Sequence, residues 1–171
     1  MHTYSATEIA SYVYHHYQQT YGSKIEEMKF HKMLYYIQRE SFIQNNAPMF
    51  TEEFEAWKFG PVMTELRQPY RNADFPECNI DDETKKIIND VFEIYGLTNP
   101  WTLGMMSHEE ISWQRARANT PAGENSSNKI SNDDIRYDAK RIRDIRNSYK
   151  TEVPLSLIHI SEPTRQAEIS Y

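Results

Sequence analysis

The chain has 171 residues, a length suited to one domain and sufficient to bury a core without covalent cross-links. Nineteen Lys and Arg against 25 Asp and Glu give a formal charge of −6, which argues against a nonspecific nucleic-acid coat. One cysteine, Cys78, excludes an intrachain disulfide and a cysteine-rich zinc site, and no stretch nears the roughly 18 apolar residues of a membrane span.

In chain order, MHTYSATEIA lacks the basic-then-apolar pattern of a signal peptide, so a cytoplasmic protein is expected. Ser5 and Glu8 form a capping-box pattern ahead of a helix that presents Ile9, Tyr12, Val13, His16 and Tyr17 on one face and closes at Gly22. Ser23 and Glu26 repeat the pattern before a long helix carrying Phe30, Met33, Leu34, Ile37 and Ser41, which breaks at Asn45-Asn46-Ala47-Pro48. Residues 52–59 alternate as a short extended segment. Gly60 then punctuates, and Pro61 opens a helix over Val62 and Leu66 that stops before Pro69. Residues 71–80 read as a loop. Asp82 starts a helix through Ile87, Ile88, Val91, Ile94 and Tyr95, with Gly96 as its C′ residue, and Thr98 to Trp101 make a turn. Ser107 and Glu110 suggest a third capping box before Ile111, Trp113, Arg115 and Ala118. A polar loop over 120–128 leads to Ser131 and Asp134, which open a last helix with Ile135, Ala139, Ile142 and Tyr149 on one face. The expected fold is mainly α: a compact single-domain helical bundle with one short extended segment near residues 52–59.

Catalytic signals are sparse. His15 and His16 point about 100° apart on a helix and chelate one ion poorly, and His31 and His108 lack a nearby metal-ligand partner. The cluster Glu52, Glu53 and Glu55 reads as a solvated patch, and Glu77 beside Cys78 disfavours a reactive thiolate. No GxSxG elbow and no phosphate-cradling glycine loop is present. No cofactor or metal is therefore expected, and no catalytic residue is assigned. The last helix is basic, with Arg136, Lys140, Arg143 and Arg146 as its candidate partner surface, or else a solvated face of intrahelical pairs such as Asp138 with Arg141.

The texture changes at Pro154. LSLIHISEPTR, residues 155–165, resembles one translated reading frame of a transposase-type sequencing adapter, and Ile169-Ser170-Tyr171 resembles its resumption. Residues 154–171 are accordingly expected to be a non-native tail, and no role is drawn from His159 or Glu162.

Within the body, KFHKMLYYIQ followed by PMFTEEFEAWKFGPVMTEL resembles the Panacea domain, a phage-associated domain found in antitoxins of the SocA and GepA type. Lys32, Leu34, Tyr35, Tyr36 and Gln38 match its first block. Phe54, Glu55, Ala56, Trp57, Lys58, Gly60, Pro61 and Val62 match its second. SHEEISWQRARA resembles a further block through His108, Glu110, Trp113, Ala116 and Arg117, and ISNDDIRYDAK resembles the family's ending. The likeness spans about residues 5–145, with His31 and Met33 as departures of tolerable volume, and implies a Panacea-like helical domain over 1–150.

Physically, Trp57 is expected as a large anchor between helices, its truncation costing about 3 to 5 kcal/mol if buried. Gly60 and Pro61 shape the turn that Tyr35 and Tyr36 pack toward, and Trp113 covers the other side. Lys58, His108, Glu110 and Arg117 either hold a buried ion-pair network or face a partner. The resemblance implies a non-enzymatic inhibitor that neutralises a bacterial toxin by direct contact, occluding it or routing it to a protease. A close variant is a phage inhibitor of a host defence protein, such as an anti-CRISPR protein. An enzyme with a cryptic site at His108, Glu110 and Arg117 is the contrasting class. Neither a membrane nor nucleic acid is an expected ligand.

Overall fold

The computed structural model describes residues 2–150, so the adapter-like tail lies outside the described residues. Helix α1 spans Ala6–Tyr21, with the Ser5–Glu8 capping box formed in both directions and Gly22 left-handed at its end. Helix α2, Glu27–Asn45, runs through the middle of the fold and is buried on every side from Lys29 to Phe42. Asn46, in the left-handed region at φ 51°, stops it.

Strands β1 (Glu55–Trp57) and β2 (Gly60–Val62) form an antiparallel hairpin in the register Glu55–Val62, Ala56–Pro61 and Trp57–Gly60, turning over Lys58 and Phe59. A 3-10 turn at Thr64–Leu66 runs into α3, Arg67–Arg71. Helices α4 (Asp82–Tyr95), α5 (Pro100–Ser107), α6 (Ile111–Ala116) and α7 (Asn132–Tyr149) complete the described elements. α1, α4, α5, α7 and the hairpin all pack on α2, so the mainly α bundle read from periodicity is the observed architecture. Ile9 and Val13 of α1, Ile87, Ile88 and Val91 of α4, and Ile135, Ala139 and Ile142 of α7 line one core with Phe30, Met33, Leu34 and Ile37.

Several local expectations are corrected, each for a tertiary reason. Ser23 caps nothing: Ile25 is drawn into the core and its carbonyl accepts the Tyr70 hydroxyl at 2.6 Å, which delays α2 to Glu27. Pro61 sits in β2 and opens no helix. Two residues on, the Met63 N–H goes to His31 Nδ1 at 3.1 Å, outside any helical ladder. Pro69 lies inside α3, at a third position where no intrahelical donor is needed. Residues 98–101 are no simple turn. Asn99 Oδ1 accepts from the Thr102 N–H at 2.8 Å, and Pro100 occupies the first position of α5.

Gly96 ends α4 as expected, but in a right-handed conformation at φ −56°. Its lack of a side chain serves close packing, since a Cβ there would overlap the Tyr21 hydroxyl. Ser107 ends α5 and donates to the Gly104 carbonyl, so it does not cap α6. Asp138 of α7 caps α6 instead, accepting from the Ile111 N–H at 3.0 Å and the Ser112 N–H at 2.8 Å. Tyr149 is exposed, not part of the buried face of α7.

Gln38 joins α2 to the segment that follows it. Its Oε1 accepts from the Met49 N–H at 2.8 Å, while its Nε2 donates to the Phe50 carbonyl at 2.7 Å. Gln38→Leu keeps the volume and leaves both backbone groups buried without these partners, each worth about 1 to 3 kcal/mol. The expected loss is about 3 kcal/mol, read as a lowered urea midpoint at unchanged m value.

Candidate functional site

The hairpin is held from beneath by side chains that take its carbonyls. Trp113 Nε1 donates to the Trp57 carbonyl at 2.9 Å, and Arg117 Nη1 to the Ala56 carbonyl at 3.0 Å. Lys32 Nζ donates to the Pro61 carbonyl at 3.2 Å from the other side. Residues 128–130 flank the other edge of β1, where the Ala56 N–H donates to the Asn128 carbonyl and the Ile130 N–H to the Phe54 carbonyl, both at 2.8 Å. Gly60 has φ +114°, and a Cβ there would come within 2.6 Å of Lys32 Cε, so glycine lets the lysine run under the hairpin.

A cleft of about 380 Å³ opens between this hairpin and the first turns of α2. Met28, Trp57, Phe59 and Val62 supply its apolar lining, and Glu27, His31, Lys32, Lys58, Arg67 and Asn125 its polar lining. Trp57 is half-buried and lines the cleft, with the Arg67 guanidinium 4.8 Å from its ring and its indole N–H given to Glu55 Oε1 at 3.1 Å. It is therefore no core anchor, and the expected cost of its truncation falls accordingly. Phe59 and Trp101 stand together at 5.5 Å, 41% and 51% exposed.

His31 is buried beneath the cleft. Its Nδ1 accepts the Met63 N–H, which assigns the ring proton to Nε2, 3.4 Å from Glu27 Oε2. Burial, then the neighbouring Lys32 charge, lowers its pKa to about 4 against the pull of Glu27. Burial also brings Lys32 down to about 7, again opposed by Glu27.

The signature residues divide between two places. Lys58, His108, Trp113 and Arg117 line a second cleft on the far side of the hairpin, where His108 stacks on Trp113 at 4.2 Å. Burial lowers the His108 pKa, and Lys32 and Arg117 add to the shift while the Lys58 backbone contact opposes it. Glu110 lies elsewhere. It is fully buried, pairs with Arg39 of α2, and has Arg141 Nη2 at 3.4 Å. Thus His108 and Arg117 share a cleft that Glu110 does not line. Tyr35 points to Ser112 Oγ, 2.6 Å away, and to Asp138; Tyr36 stacks on Tyr95 at 4.2 Å. Neither contact is with the hairpin turn.

The basic face of α7 is smaller than its sequence implies. Arg146 is turned inward, with Nη1 2.8 Å from Glu40 Oε1. Arg143 donates to the Phe42 and Ile43 carbonyls and so closes the end of α2. Arg136 and Lys140 remain exposed, paired with Asp133 and Asp144. Asp138, expected on a solvated face with Arg141, is fully buried. Glu52 and Glu55 are not merely solvated: Glu52 Oε2 accepts from the Ala6 N–H at 2.9 Å, and Glu55 Oε2 from Thr64 Oγ1 at 2.9 Å. The Cys78 thiol is pushed up by burial and then by Glu8, so Glu77 is not the neighbour that acts on it.

Sequence reasoning missed His31, Phe59 and Arg67 as cleft residues, and Trp101 as the exposed ring beside Phe59. Lys32 was placed within a motif without a role. The available signal was a helix with large apolar residues on all faces, which forces its lysines into the interior.

Residues 30–114 match the antitoxin SocA-like Panacea domain model, a shorter span than the resemblance at 5–145 suggested. No curated protein and no solved structure matches the chain.

The His31 geometry predicts a pH dependence. An unfolded imidazole titrates near 6.5 and the folded one near 4, so the unfolded state binds more protons between these values. Its contribution is complete above pH 6.5 and is lost as pH falls through 4, to a total of about 3 kcal/mol. In urea titrations across this window, His31→Asn, whose amide oxygen can receive the Met63 N–H, should show a flatter stability profile than the wild type.

Proposed function

Through residues 30–114 the chain belongs to the antitoxin SocA-like Panacea domain family, and on that premise we propose that it is a cytoplasmic, non-enzymatic antitoxin that holds a bacterial toxin by direct contact. The observation that carries the reading is the aromatic rim of the hairpin cleft. Phe59 and Trp101 touch each other and still expose 41% and 51% of their surfaces, beside Trp57 and the cations of Lys58 and Arg67. Clustered exposed aromatics with cationic neighbours have the composition of binding hot spots.

The platform beneath them supports the same reading. With its carbonyls fixed by Trp113, Arg117 and Lys32, the hairpin presents Lys58 and Phe59 on a backbone that need not be ordered on binding. A host defence protein is the variant partner of the same kind. The enzyme reading loses its proposed triad, because Glu110 is committed to Arg39 and Arg141 away from His108 and Arg117.

Co-expression with toxins from the source genome, scored by growth, tests the proposal. At least one toxin should be neutralised and should co-purify with the chain. The double variant Phe59→Ala, Trp101→Ala should keep its far-UV circular dichroism and lose neutralisation, since both rings are largely outside the core. Full neutralisation by the folded double variant would move the binding face elsewhere.

A further inference from the structure

Lys32 approaches the hairpin from α2 with its side chain almost wholly buried, and it contributes to the lining of the cleft. An ammonium has three N–H donors. Among the described residues one hydrogen-bond acceptor is found for it, the Pro61 carbonyl at 3.2 Å. Among the described residues Glu27 is the one carboxylate in the cleft lining, and it is already engaged. Arg67 Nε lies 3.1 Å from its Oε2, Arg71 Nε 3.7 Å from its Oε1, and His31 Nε2 3.4 Å from its Oε2. The other charged or titratable groups near Lys32 are Lys58 on the hairpin, Arg67 on α3 and His108 after α5. The balance is cationic in a chain whose total charge is negative.

We propose, resting on the antitoxin reading above, that the hairpin cleft is a carboxylate pocket: the partner protein inserts an Asp or Glu side chain past the Phe59 rim to pair with Lys32. The volume, about 380 Å³, accommodates an acidic side chain with part of its neighbours. A phosphate fits less well. It calls for a free guanidinium or a fan of backbone N–H groups, and Arg67 is held by Glu27. The apolar rim of Met28, Trp57 and Phe59 gives the flanking residues of a protein segment a surface that a small hydrophilic acid would leave unused.

The pairing has a measurable consequence. Burial holds Lys32 near a pKa of 7, so close to neutrality the amine is partly uncharged. A carboxylate entering the cleft favours the ammonium and draws a proton from solution.

The test is an NMR pH titration of the Lys32 side chain in the full chain, labelled with 13C-lysine and assigned through bonds. It is run alone and with tens of millimolar N-acetylglutamate α-amide, N-acetylglutamine α-amide or inorganic phosphate. The glutamate probe should raise the Lys32 midpoint by about one unit, equivalent to about tenfold tighter binding to the charged than to the neutral amine. The glutamine probe should leave it in place, and phosphate should move it less than glutamate does. No shift with the glutamate probe, an equal shift with glutamine, or a larger one with phosphate overturns the proposal.

No toxin is present in that titration, so a failure of the antitoxin reading is seen separately, in the growth assay. There, Lys32→Met, which keeps the side-chain length, should weaken neutralisation at least tenfold in the amount of antitoxin required. Undiminished neutralisation by this variant overturns the pocket's role while leaving the antitoxin reading intact. The probe comparison on wild-type protein needs no variant to fold.

Discussion

A helix buried on all sides must find, inside the protein, a partner for every polar side chain it carries. α2 meets this demand with groups from a different element each time. Lys29 reaches the Gly96 carbonyl at the end of α4, Lys32 the Pro61 carbonyl of β2, Arg39 the Glu110 carboxylate before α6, and Glu40 the Arg146 guanidinium of α7. Phe30, Met33, Leu34 and Ile37 supply the apolar burial that drives collapse. The polar contacts select which collapse is acceptable. A buried charge deprived of its partner costs about 3 to 5 kcal/mol, a large part of the roughly 5 to 15 kcal/mol that holds a domain together. Any packing that misplaces one neighbour of α2 is penalised on that scale.

The same constraint explains why the short elements exist. α6 has six residues, too few to stand alone, and Glu110 offers no side-chain cap to it. Asp138 crosses from α7 to accept both of its leading N–H groups, and Arg143 crosses from α7 to close the end of α2. Charges that read in the sequence as a solvated or partner-facing stripe on α7 are thus spent inside the bundle. The stripe that remains exposed shrinks to Arg136, Lys140 and Tyr137, with both cations in ion pairs to aspartates of the same helix.

Legibility in the sequence followed the range of the interaction. The Ser5–Glu8 box, the Gly22 stop, the Asn46 stop and the Ser131 cap are satisfied within a few residues, and each was readable from spacing alone. Ser23, Pro61 and Ser107 carry equally good local signals, yet their outcomes were decided by Ile25 entering the core, by His31 and by Asp138. Periodicity located one apolar face of α2 correctly but is silent on the burial of the opposite face, because 3.6-residue spacing does not say how many neighbours a helix will have. The cleft was illegible for the same reason. It is assembled from the start of α2, the hairpin and α3, and its lysine became a candidate only once its burial was visible.

The resemblance motif takes on a physical meaning in this light. A two-stranded hairpin is marginal by itself in water. Here the carbonyls of Ala56, Trp57 and Pro61 are each taken by a motif side chain, Arg117, Trp113 and Lys32 respectively. Gly60 permits the last of these by leaving room for the lysine stem. These three motif residues therefore act on backbone, fixing the hairpin's shape without prescribing what its turn displays. Lys58 and Phe59 project from that turn and are exposed. Their side chains could be exchanged without disturbing the contacts that hold the platform. If this face meets a partner as proposed, Lys32 serves both the platform and the contact, whereas Lys58 and Phe59 are free of the first task, so that recognition can be retuned at the tip while the bundle below stays the same.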